Sequence, residues 1–130
     1  KQLDAPADKP ANIDMPLGLI SFVADVGTPG VTETFSLFVD HSIPVNGYFK
    51  KNAAGDWVNI ATSVVDLYSK TRVDFAITDG GEFDSDGQAD GIITDPGALG
   101  FQAPMLSYSV LIFVESTANA APSPPAAPLR

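Results

Sequence analysis

Asp79-Gly80-Gly81-Glu82-Phe83-Asp84-Ser85-Asp86-Gly87-Gln88-Ala89-Asp90-Gly91-Ile92-Ile93-Thr94-Asp95-Pro96-Gly97 follows directly on Arg72-Val73-Asp74-Phe75-Ala76-Ile77-Thr78, and the join between the two runs decides the fold. In the leading run Val73, Phe75 and Ile77 alternate with Arg72, Asp74 and Thr78. That is the period of a half-buried strand, with the apolar set turned inward. The acidic run that follows is therefore a loop set between strands, and the chain reads as β-structure.

Nineteen residues of that run hold five aspartates, one glutamate and five glycines. Carboxylates gathered so closely repel one another. A hard divalent cation relieves the repulsion, and Ca²⁺ accepts six to eight oxygens from a flexible loop. With Asp84 as position 1, Asp86 falls at 3, Gln88 at 5, Asp90 at 7, Ile92 at 9 and Asp95 at 12. This follows the order of an EF-hand loop. Two positions depart from it: Ala89 stands where that loop needs glycine, and the closing acid is Asp rather than Glu. The expectation is a calcium loop of the Asp-x-Asp-Gly kind, with Asp79, Asp84, Asp86, Gln88, Asp90 and Asp95 as ligands. The plainer alternative is a hydrated acidic turn closed by Asx-turns, without a metal.

Length and charge bound the rest. One domain is expected from 130 residues. A net charge of −9 argues against nucleic acid and against docking on anionic lipid. There is no cysteine, so disulfides and thiolate metal sites are excluded. No apolar run reaches a membrane span of about 18 residues, and residues 1–14 do not read as a signal peptide. An excised or mature fragment of an exported protein is the expectation.

Residues 1–14 are polar, Pro-containing and without a period, and predict an extended lead. Residues 15–26 alternate with apolar residues in both sets, which predicts a strand covered on both faces. Residues 31–40 place Phe35, Leu37 and Val39 on one face and Thr32, Thr34 and Ser36 on the other, as in an antiparallel strand half in water. Residues 45–51 form a third strand, with Tyr48 and Phe49 as core candidates, and a hairpin loop at 52–56 returns through Trp57. Residues 63–70 fit a short strand or a helical turn. Ile92 and Ile93 predict a short strand stopped by Pro96-Gly97. Residues 105–115 form the most apolar strand, and 117–130 read as a Pro/Ala-rich tail with four prolines. About seven short strands with frequent turn signals predict an all-β antiparallel sandwich, Ig-like or jelly-roll-like, over residues 15–116.

The acidic run also resembles a known family. Asp79-Gly80-Gly81, Asp84-Ser85-Asp86-Gly87 and Gly91-Ile92-Ile93-Thr94-Asp95-Pro96-Gly97 are similar to the choice-of-anchor U domain of bacterial surface and secreted proteins. Pro29-Gly30, Tyr48-Phe49-Lys50 and Trp57 extend the likeness over residues 17–97. Phe83 and Asp90 depart from it, standing where a small residue and Asn are usual. The resemblance implies an extracellular or cell-surface location and a β-rich architecture, and little about mechanism.

No catalytic set is evident. His41 is the only histidine, and its neighbours Asp40 and Ser42 in one turn do not make a triad. A zinc site needs more than one His without Cys. Asp84 and Asp86 could in principle serve glycoside hydrolysis, but acids two apart in a Gly loop more often share a metal. Trp57 and the other aromatics fall on strand positions and read as core. The expectation is a non-enzymatic, calcium-stabilised structural module; self-assembly into filaments by strand addition from the lead stands beside the alternative that the last strand pairs within its own sandwich and both termini are linkers. The alternative is a module that binds carbohydrate or another surface ligand, which an exposed row of aromatics would mark.

Overall fold

The computed structural model describes residues 1–103. The predicted strand at 105–115 and the tail at 117–130 lie outside the described residues. Nine strands and no helix are found among those described: β1 (Gln2–Leu3), β2 (Ile13–Asp14), β3 (Leu19–Asp25), β4 (Thr32–Asp40), β5 (Gly47–Lys51), β6 (Trp57–Asn59), β7 (Ala61–Asp66), β8 (Lys70–Thr78) and β9 (Ile92–Gln102). They form two antiparallel sheets. The larger runs β1-β3-β9-β5-β6, with β2 also paired to β9, and the smaller runs β4-β8-β7. The all-β antiparallel expectation therefore holds.

The pleat sorts the side chains. In β8, Val73, Phe75 and Ile77 are buried, as their alternation requires. Across from them stand Tyr48 of β5 and Ile93 and Leu99 of β9, joined by Val39 of β4. This cluster lies between the two sheets and carries a run of aromatic rings. Tyr48 stacks on Phe75 at 3.9 Å and 7°, Phe75 meets Phe35 at 5.5 Å, and Phe35 meets Phe22 at 5.0 Å. The other parity of the larger sheet builds a second cluster from Ile13, Met15, Phe49 and Ala98, with Leu19 and Trp57 packed against it. The central strands of that sheet are thus covered on both faces.

At three places the structure goes beyond or against the sequence reading. Residues 1–14 are tied to the larger sheet: β1 pairs with β3, β2 pairs with β9, and Ile13 is buried. Residues 61–66 settle as strand β7, hairpinned onto β8. The strand at Ile92-Ile93 does not stop at Pro96-Gly97 but runs through both to Gln102. Gly97 is needed there because a Cβ would lie 2.5 Å from the Tyr48 ring, so the ring packs directly on the backbone. β9 is consequently the centre of the larger sheet, pairing with β3, β2 and β5.

Candidate functional site

β8 and β9 deliver the acidic loop, and the loop's own amides meet most of its carboxylates. Asp79, at the end of β8, accepts the Gly30 amide at 2.9 Å and the Gly91 amide at 2.7 Å through Oδ2. It joins the β3–β4 turn to the far end of the loop. Asp84 accepts the Gly80 amide at 2.9 Å and the Thr94 amide at 2.9 Å, one with each oxygen. Both carboxylates are 2% exposed. Burial pushes the Asp79 pKa up, but backbone amides, those of Gly30 and Gly91 first, more than offset it and the net direction is down. Asp86 and Asp90 are exposed and close Asx-turns onto the amides of Gln88 and Ile92, both within about 3 Å. Gln88 is exposed beside them. Gly80 sits at a positive φ of 80°, and a Cβ on it would meet Ala89 at 2.8 Å. Ala89, which breaks the EF-hand pattern, lies close against Gly80 and is exposed on its other side.

Asp95 goes elsewhere. It is fully buried, and its neighbours come from β5 rather than from the loop. Lys50 Nζ donates to Asp95 Oδ1 and Tyr48 Oη donates to Asp95 Oδ2. Residues 48 and 50 share one face of β5, and 93, 95 and 99 share one face of β9, so the three polar groups face the cluster between the sheets. Lys50 is 2% exposed and also donates to the Pro96 carbonyl at 2.7 Å. Burial lowers its pKa to about 8, against the nearby Asp84 charge, which raises it. Burial pushes the Tyr48 phenol upward. A cavity of about 410 Å³ opens beside Lys50, lined by Lys51, Trp57, Glu82, Asp84 and Pro96 among others.

The six expected calcium ligands thus divide. Asp79 and Asp84 are buried amide acceptors, Asp86, Gln88 and Asp90 are exposed on the loop, and Asp95 is held by Lys50 and Tyr48 in the core. Among the described residues no group of three or more His, Cys, Asp or Glu is placed to hold a metal. One atom still fits a cation: Asp79 Oδ1 is buried and has no hydrogen-bond donor. The full set of six does not fit one ion, because both oxygens of Asp95 face other partners.

His41 pairs with Asp66 Oδ1 at 3.2 Å, with both side chains more than half exposed, while Ser42 donates to Asp40. Histidine and hydroxyl therefore serve different carboxylates on an open surface. Trp57 is half-buried, and Lys51 Nζ lies 5.7 Å from the centre of its ring. The exposed aromatics Phe38, Tyr68 and Phe101 stand on β4, on the β7–β8 turn and on β9.

Sequence reasoning missed Lys50. The signal was a lysine two residues after an inward tyrosine, at a position the pleat turns into the core. No helix among the described residues is long and apolar enough to cross a membrane. Compared with family models, curated proteins and solved structures, the chain matches none of them.

Proposed function

We propose that this chain is a non-catalytic structural β-module of an exported bacterial surface protein. One observation carries the reading: three of the four oxygens on the two buried carboxylates of the acidic loop accept backbone amides. Asp79 joins two turns and Asp84 joins the loop to β9. Such groups fasten a fold, and the one oxygen without a donor, Asp79 Oδ1, is buried rather than open to a substrate. The surface pairing of His41 with Asp66, apart from Ser42, supports the same reading. The exported, cell-surface setting rests on the family resemblance and fits the net charge of −9. The experiment is amide hydrogen exchange on Asp84→Ala. The expected result is lost protection at Gly80 and Thr94 with a lowered melting midpoint. Unchanged protection at both amides rejects the reading.

A second reading, calcium at the loop, is favoured by the donorless Asp79 Oδ1. Asp86, Gln88 and Asp90 are the exposed loop residues of the expected ligand set, and Asp95 is not among them. Calcium would neutralise the loop and brace its turns. Filament growth by strand addition is not part of the proposal, because the lead's strands β1 and β2 are already paired within the chain's own sheet. Donation to a neighbour would need their release.

A further inference from the structure

The Lys50–Asp95–Tyr48 group is a buried polar cluster that fastening alone does not require. A buried ion pair carries a large desolvation cost, and apolar residues of the same volume often serve a core as well. The arrangement has a property that an ordinary ion pair lacks: a primary amine and a carboxyl group touch in a dry site, with further groups aimed at both.

We propose that Lys50 and Asp95 condense into an amide, joining β5 to β9 covalently. This goes beyond the structural reading, because it gives the module a self-directed reaction.

The chemistry balances without a co-reactant. In a dry site the ammonium passes a proton to the carboxylate, since neutral groups are the cheaper pair there. The free Nζ lone pair then attacks Asp95 Cγ. Negative charge develops on Oδ2, which faces the Tyr48 hydroxyl, so the phenol serves as an oxyanion donor. The Cγ–Oδ1 bond breaks. Oδ1 keeps the proton that it received and takes one more from Nζ, and one water leaves. Nothing is oxidised or reduced. The depressed pKa of Lys50 supports the first step, because a neutral amine is the nucleophile.

The surroundings also match the product. The amide N–H that remains on Nζ has the Pro96 carbonyl as its acceptor, where Nζ now stands at 2.7 Å. The amide oxygen keeps Tyr48 as its donor. Both polar groups of the new bond are therefore satisfied inside the core. The water has an exit, because Lys50, Asp84 and Pro96 line the cavity beside the reacting atoms. Tyr48 is held in place by its stack on Phe75 and by the Gly97 backbone beneath its ring.

The test is intact-mass measurement on the full chain after incubation at neutral pH. The expected mass is one water, about 18 Da, below the sequence value, the stoichiometry of amine acylation by an acid. Trypsin should then yield one branched species, the peptide ending at Lys51 joined to the peptide beginning at Val73. Lys50→Arg should restore the full sequence mass and remove that species. Tyr48→Phe keeps the ring stack, and it should give a mixture that converts at least tenfold more slowly. Full sequence mass in the wild-type chain overturns the proposal. So does water loss without the branched species, because Asp79-Gly80, Asp86-Gly87 and Asp90-Gly91 can lose water by cyclising onto their own backbone. Should Lys50→Arg fail to fold, the branched peptide from the wild-type chain still decides the matter.

Discussion

Asp79 accepts two amides through one oxygen and leaves the other without a donor, so its charge is part of the fold. Its folded pKa lies below the ordinary value of 3.8. The folded state therefore binds its proton less readily than the unfolded state does. The stability this gives is fully present above the unfolded pKa and is lost as the pH falls through the folded one. An acid titration of the melting midpoint should show that loss below about pH 4, and Asp79→Asn should flatten that part of the curve. An unaltered acid limb in the variant would count against the role given to this carboxylate. At this scale the sequence was informative about type and silent about direction. Six loop oxygens looked like one set because they share chemistry and spacing. The backbone turns Asp95 toward β5 instead, and no spacing rule states which way a carboxylate points once its strand continues.

β9 shows the same limit at the scale of an element. Pro96-Gly97 has the chemistry of a stop, since proline lacks an N–H and glycine weakens a strand. Here Gly97 is the place where the Tyr48 ring lies on the backbone, and Lys50 takes the Pro96 carbonyl. Gly97→Ala puts a Cβ against that ring and should cost about 1–3 kcal/mol, measured by denaturant melts. A variant as stable as the parent would mean that the ring yields freely. Two-residue strands have no period to detect, so the pairing of residues 1–14 is not legible in the sequence. Ile13 is 2% exposed beside Met15 and Phe49, so Ile13→Ala should cost about 2–4 kcal/mol in the same assay. Longer elements were legible. The alternations of β4 and β8 located both strands and the buried set Val73, Phe75 and Ile77, because one face in water and one in the core leaves a period-two record.

At the scale of the molecule, two sheets share a core and the acidic loop runs from β8 of one to β9 of the other, held to the β3–β4 turn through Gly30 and to β9 through Thr94. If calcium occupies the loop, melting in Ca²⁺ against EDTA should separate the midpoints, by about 2.7 kcal/mol of stability at a hundredfold excess over Kd. Coincident curves remove the ion from the account. Light scattering checks assembly separately: with β1 and β2 engaged at home, the chain is expected to be monomeric at assay concentrations. Particles that grow with concentration, and that vanish on deleting residues 1–14, would reinstate the lead as donor.

The central place of β9 has a consequence for the order of events during synthesis. Its partners begin at Ile13, Leu19 and Gly47, yet the strand they all require spans Ile92–Gln102. A ribosome releases those partners long before the strand that unites them. Until then the Ile20 to Asp25 edge and the Gly47 to Phe49 edge have nothing to zip against. Loops of about 50 to 90 residues must close in one concerted search, which places the chain among slow, high-contact-order folders, in about milliseconds to seconds. Nascent chains stalled before Ile92 should be open to protease and prone to cluster, and those stalled well beyond Gln102 should resist both.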